Sequence, residues 1–160
     1  MFALSKITRD WFSKSQRFIL IIAKIKKICI KHPNKKRSID SSFFTTDKND
    51  LLEDPEINVI VELIDNADEA YEIVKTAIIN GKDVVSANKK LIAEHFSELQ
   101  DLKNKHNVNF IYEASVCGSI PIIRNLEEYY NNDSLKSLKG ICNGTTNYIL
   151  TKQIEENRNY

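Results

Sequence analysis

Three short stretches of this 160-residue chain combine residue types and spacings that can do chemistry. In Val84-Val-Ser-Ala-Asn-Lys89 a lysine ends a β-branched run. Its ammonium would stand at the carboxyl end of a strand, beside a helix start, where it can face an anion or a developing oxyanion. On position alone the plainer reading is a solvated lysine of the Lys89-Lys90 pair. In Glu113-Ala-Ser-Val-Cys-Gly-Ser-Ile120 a carboxylate leads an irregular segment. Exposed carbonyls and one carboxylate can cage a hard cation, or Glu113 can simply cap or solvate a loop. In Asn143-Gly-Thr-Thr-Asn-Tyr148, Gly144 allows a tight turn, and Thr145 or Thr146 can cap the next helix. That helix start would favour an anion, with capping alone as the competing reading.

The elements that must position these residues follow from periodicity. Ile57-Asn-Val-Ile-Val-Glu-Leu-Ile64 is the nearly continuous β-branched run of a parallel strand covered on both faces. After Asp65-Asn66, the residues Ala70, Tyr71, Val74, Ala77 and Ile78 recur at helical spacing, and Asn80-Gly81 supplies a stop. Residues 83–87 read as a short strand, followed by a helix with Leu91, Ile92, Phe96, Leu99 and Leu102 on one face. Val108–Tyr112 is the next strand, and Ile122, Ile123, Leu126, Tyr129 and Tyr130 mark another amphipathic face behind Pro121. Residues 135–142 look extended, and 143–146 turn into a last helix.

Earlier in the chain, residues 25–31 read as a strand running into the basic loop 32–37. Residues 38–56 read as loop with one helical turn near Leu51-Leu52, and residues 1–23 have no clear period. Strands alternating with helices predict an α/β fold with a parallel sheet and helices on both faces, whose ligands bind beyond the strands' carboxyl ends.

Charge and composition narrow the classes. The net charge is +1, which gives no reason to expect nucleic acid, yet it is unevenly spread. Residues 1–37 carry eleven Lys/Arg and one acid, Asp10, while the remainder is net acidic. Such a split marks either a basic arm or two stretches of different origin joined together. The apolar run 18–23 is too short to span a bilayer, so no membrane partner is expected. Cys29, Cys117 and Cys142 are odd in number and widely spaced, which fits a reducing, cytoplasmic setting. His32, His95 and His106 are scattered without metal-ligand spacing, and no histidine near Cys117 would activate it as a nucleophile. The first glycine is Gly81, so no GxGxxG opens the fold.

Four blocks in order, Val59–Ile64, Val84–Lys89, Tyr112–Arg124 and Gly140–Leu150, together resemble homoserine dehydrogenase, over about residues 25–152. The resemblance implies a partial Rossmann-like, doubly wound parallel sheet with the start of a substrate and dimerisation domain at the carboxyl end. It implies domains at 25–118 (NAD(P)-binding) and 119–160 (substrate-binding), behind an atypical segment 1–24 in place of the first strand and its glycine loop. The activity implied is reversible hydride transfer between NADP or NAD and the L-homoserine/L-aspartate 4-semialdehyde pair, in threonine and methionine biosynthesis, by a cytoplasmic homodimer.

By the same resemblance Lys89 faces cofactor and substrate, with Ser86, Ala87 and Asn88 shaping its turn. Asn66 and Ala67 run past the ribose and nicotinamide, and Lys31 meets a 2′-phosphate. Glu113 would bind sodium through its side chain, with the carbonyls of Val116, Gly118 and Ile120. The proton-donating lysine and the acids that hold homoserine have no counterpart in these residues, so the chain is expected to be an inactive internal fragment. The alternatives are another Rossmann amino-acid dehydrogenase, or a non-catalytic interaction piece whose basic amino-terminal arm binds an acidic partner.

Overall fold

The computed structural model describes residues 2–8, 21–118, 120–130, 135–141 and 143–157, with side chains of the first unit described from residue 24 onward. The chain divides into two compact units, 1–112 and 113–160. In the first unit, β1 (Phe2–Thr8), β2 (Ile21–Cys29) and β3 (Phe44–Thr45) precede α1 (Asn49–Leu52). Then β4 (Val59–Glu62), α2 (Ala67–Ile79), β5 (Asp83–Ser86), α3 (Lys89–His106) and β6 (Phe110–Ile111) alternate. They build one six-stranded sheet in the order β3-β2-β1-β4-β5-β6.

The α/β fold class holds, and the strands expected at 57–64, 83–87 and 108–112 are parallel neighbours. β3 lies in a stretch read as loop, and β1 and β2 each depart from the sequence reading. First, β1 lies in the stretch that showed no period, and it runs antiparallel to both β2 and β4. The pairing skips Lys26 between Ala3 and Leu4, so the bulge lies on β2; β1 gave no signal because both alternating sets of Phe2-Ala-Leu-Ser-Lys-Ile-Thr8 mix polar and apolar residues. Second, β2 begins four residues earlier and ends two earlier than the strand read at 25–31.

Strands β4 and β5 alternate half-buried and buried residues. Ile60 and Val84 sit on the covered face with Phe110, while on the other face Ile111 remains 49% exposed. The covering layer is α2 and α3, which pack against each other, with α2 also on β4 and β5. Helix α2 buries Ala67, Ala70, Ile73, Val74, Ala77 and Ile78 at i, i+3, i+4 spacing, and Asp68 and Glu69 complement its amino-terminal dipole.

Asn80-Gly81 ends α2 as expected. Gly81 has φ +72°, its N–H donates to the Ile78 carbonyl, and the Lys82 N–H reaches back to Ala77. This is a Schellman stop, which needs the left-handed residue that glycine supplies cheaply. Lys82 is then buried, and its ammonium donates to the Asp54 and Ile57 carbonyls at 2.6 and 2.8 Å, tying the amino end of β4 to the helix end. Burial holds that ammonium's pKa below the usual lysine range. Helix α3 ends at Asn107, left-handed at φ 52°.

The second unit holds a 3₁₀ turn (Glu113–Ser115), α4 (Ile122–Glu128) and α5 (Gly144–Glu156). Its helices fall where periodicity put them, but residues 135–141 form no strand, and Cys142 lies outside the described residues. Tyr129, Tyr130, Ile141 and Ile154 are exposed, so the amphipathic faces are not buried within this unit.

Leu99, fully buried in the cluster with Leu91, Ile73 and Phe110, is a direct test of this core. Leu99→Ala is expected to lower unfolding free energy by about 2–5 kcal/mol, read from urea midpoints. A second expectation concerns acid. The Asp54 carboxylate accepts the Glu56 N–H at 2.8 Å and pairs with Lys26 at 3.1 Å, which lowers its pKa from 3.8. A carboxyl depressed in the folded state contributes stability above its unfolded value and loses it as pH falls through the folded one. Asp54→Asn is therefore expected to flatten the stability loss below pH 3.8 and leave its pH dependence near neutrality unchanged.

Candidate functional site

Parallel pairing puts Glu62 opposite Ser86, so β4 and β5 end at the same height. Each then turns through a short loop into a helix, and both helix starts open at the sheet's carboxyl edge. Asn66 is the N-cap of α2, its Oδ1 accepting the Glu69 N–H at 2.9 Å. Asn88 is the N-cap of α3, its Oδ1 accepting the Leu91 N–H at 3.0 Å while its Nδ2 donates to the Ile64 carbonyl at 2.9 Å. Asn88 thus caps its own helix and clamps the end of the neighbouring strand.

The site residues read from sequence in the first unit therefore collect at one edge: Asn66 and Ala67 at the start of α2, and Ser86, Ala87, Asn88 and Lys89 at the start of α3. Lys31 joins that edge from another strand. Strand β2 is antiparallel to β1, which is antiparallel to β4, so β2 runs with β4 and its carboxyl end faces the same way. Lys31 is exposed just past it, and Phe2, at the start of β1, pairs between Ile28 and Val61.

Lys89 and Lys90 differ in their surroundings. Lys90 pairs with Glu94 one turn on, at 3.7 Å. Lys89 opens α3 and is exposed, with no ion-pair or hydrogen-bond partner among the described residues. No acid stands in the first turn of α3, whereas α2 has two. Two ammonium groups at the positive end of a helix dipole are electrostatically unfavourable, and an anion resolves that conflict.

In the second unit the carboxylate of Glu113 accepts the backbone N–H groups of Ile123 and Arg124, each at 3.0 Å, so it caps the first turn of α4. Between them the chain loops through Cys117 and Gly118, both left-handed, at φ 56° and 62°. The Ile120 carbonyl accepts the Ile122 N–H at 2.8 Å. Near the last helix, Asn143 Oδ1 accepts the Thr146 N–H at 2.8 Å, so Asn143, rather than Thr145 or Thr146, caps α5.

Sequence reasoning missed Glu62. It sits inside an apolar run and is fully buried, with Ser86 Oγ donating to its Oε2 at 2.6 Å. The available signal was its spacing: two residues after Ile60, a carboxylate falls on the covered face of the strand.

Residues 8–113 match the family model for the homoserine dehydrogenase NAD-binding domain, and residues 121–160 match that for homoserine dehydrogenase. The chain is 38% identical over 157 residues to homoserine dehydrogenase of Bacillus subtilis, covering 97% of this chain and 36% of that protein. It is 41% identical over 134 residues to that of Neisseria gonorrhoeae, covering 83% and 31%. A homoserine dehydrogenase structure from Thiobacillus denitrificans superposes with a TM-score of 0.62 at 39% identity, covering 72% of this chain and 27% of that one. The chain thus spans about a third of the length of the relatives it matches.

The electrostatics of α3 yield a stability expectation. Lys89→Ala removes an ammonium that opposes the helix dipole and should raise the thermal midpoint. Lys90→Ala loses one exposed pair and should change stability within about 0.5 kcal/mol. A clear loss of stability in Lys89→Ala would show that Lys89 holds the fold together rather than awaiting an anion.

Proposed function

This chain belongs to the homoserine dehydrogenase family, and from that premise we propose that it forms the nicotinamide-side part of an NAD(P)-dependent enzyme interconverting L-homoserine and L-aspartate 4-semialdehyde. The observation that carries the proposal is the amino terminus of α3, where the unpartnered ammonium of Lys89 meets a helix dipole at the carboxyl edge of a parallel sheet. Dinucleotides bind at that edge in open α/β sheets. The residues fit such a group: a cation, a row of first-turn amides and two Asn-capped turns face one edge.

When bound, the dinucleotide supplies the hydride chemistry. This chain's part is to bind and orient. Lys89 places positive charge where negative charge grows on the substrate oxygen, an interaction strongest when it is preorganised. Asn88 and Ser86 hold its turn, and Ala87 brings backbone close to the same edge. Asn66 and Ala67 line the ribose and nicotinamide side, and Lys31 serves a 2′-phosphate. Residues 25–118 act as the cofactor-binding part and 119–160 begin the substrate-binding part.

Glu113, with the carbonyls of Val116, Gly118 and Ile120, would hold a monovalent cation such as sodium. An all-oxygen donor set suits a hard ion. Both Glu113 oxygens already accept one N–H each, but a carboxylate has about four lone-pair sites, so capping α4 and binding an ion are compatible. The ion would brace the loop between the turn at Glu113 and α4. The whole enzyme acts as a cytoplasmic homodimer on the route to threonine and methionine; among the described residues no helix is long and apolar enough to cross a membrane.

Because no glycine precedes residue 81, backbone cannot approach a pyrophosphate as closely as in a glycine-loop fold. The 160-residue polypeptide is therefore expected to bind NADPH more weakly than micromolar, about −8 kcal/mol, by calorimetry. It is also expected to show no homoserine oxidation. Sub-micromolar binding, or turnover near about 10 s⁻¹, would falsify this division of labour.

A further inference from the structure

We propose that Glu62 is the positioning residue of this edge: its buried carboxylate, acting through Ser86, holds the Ala87–Lys89 turn in the conformation that presents Lys89 and the first amides of α3. The proposal rests on the reading that this edge binds the dinucleotide.

The direction of each hydrogen bond is determined by chemistry. The Asn88 N–H can only donate, and it points to Ser86 Oγ at 3.2 Å. The single Ser86 proton is then left for Glu62 Oε2, 2.6 Å away. The Ile64 N–H, also a donor, points to Oε1 at 2.5 Å. Glu62 therefore accepts on both oxygens, a role for a carboxylate that a neutral amide cannot copy. The Ala87 N–H adds a 3.4 Å contact to the Glu62 carbonyl, and Asn88 Nδ2 returns to the Ile64 carbonyl. The loops after β4 and β5 are thus laced together by Glu62, Ser86 and Asn88.

Packing gives no reason for an acid here. Glu62 is 0% exposed, on the face shared with Ile60 and Val84, where a β-branched apolar residue would fill the space without the cost of burying a carboxylate. What the acid adds is a rigid, directional anchor beneath the turn. A glutamine would direct its NH₂ either at the Ile64 N–H, a clash of donors, or at Ser86, whose proton then loses its acceptor. Either way one buried donor is left without an acceptor.

The test uses the full 160-residue chain, with backbone-amide exchange followed by NMR and an NADPH titration of each variant. Glu62→Gln and Ser86→Ala are compared with Leu99→Ala, which lowers global stability without touching the turn. In Glu62→Gln the Asn88 and Leu91 amides should exchange about tenfold faster than global destabilisation explains, the worth of about one hydrogen bond. NADPH affinity of the folded protein should fall by about tenfold with it. In Leu99→Ala exchange should follow global stability and affinity should hold. Should Glu62→Gln fail to fold, Ser86→Ala breaks the same link while leaving the Glu62–Ile64 bond.

Exchange at Asn88 that merely tracks global stability in both turn variants would overturn the proposal, as would unchanged affinity alongside normal wild-type binding. Wild-type protein that binds no NADPH would overturn the dinucleotide reading instead, and the exchange comparison would still decide whether Glu62 sets the turn.

Discussion

The parallel register of β4 on β5 is the constraint from which the candidate site follows. Val59 to Glu62 pair one-to-one with Asp83 to Ser86, so the two chains leave the sheet at one height and in one direction. Each must then satisfy the orphan amides of the helix it enters, and each does so with an asparagine in the residue before the helix. A slip of one residue would turn Glu62 and Ser86 to the open face and bring Val61 and Val85 beneath α2. The buried face of the sheet and the chemistry at its edge are therefore one arrangement, because the side chains that fix register by packing lie on the same face as those that tie the turns.

Strand β1 gives this sheet an unusual centre. The order β3-β2-β1-β4-β5-β6 is the spatial order of a doubly wound dinucleotide fold, in which the first strand sits at the switch point. Here that place is filled in the opposite sense: β1 starts, rather than finishes, between the carboxyl ends of β2 and β4. The carboxyl end of β1 consequently lies toward the amino ends of the parallel strands. Among the described residues, what the carboxyl edge offers an anion is the pair of helix starts after β4 and β5, with Lys31 past β2, which throws the weight on Asn66, Asn88 and Lys89.

How much of this was legible in the sequence depended on whether the signal was periodic. The β-branched run at 57–64, the helical spacing from Ala70 to Ile78 and the Asn80-Gly81 stop all repeat or punctuate, and each element formed where it was read. Strand β1 escaped because both of its alternating faces mix polar and apolar residues, and β3 because two residues are too few to show any alternation. The Ala87–Lys89 turn was legible as a family motif, yet what holds it was not. Glu62 reads as a lone polar residue in an apolar run, and its partner Ser86 lies 24 positions away, joined only by strand register. Asn143 was overlooked as a cap because three neighbouring side chains, Asn143, Thr145 and Thr146, could do that work, and only backbone geometry chooses among them.

The start of α3 shows why those hidden links matter. A helix that opens with Lys89 and Lys90 and no acid sets charge against its own dipole, so the turn before it would relax if it were free to. Asn88 resists from within, capping Leu91 and gripping the Ile64 carbonyl. Ser86 and Glu62 resist from below, in a buried network where each bond fixes the direction of the next. The unfavourable charge is kept in place by polar contacts that water cannot reach, while the ammonium itself stays exposed. Under the proposed function, an edge built in this way is prepared for an anion before one arrives, and the cost of preparing it falls on the fold.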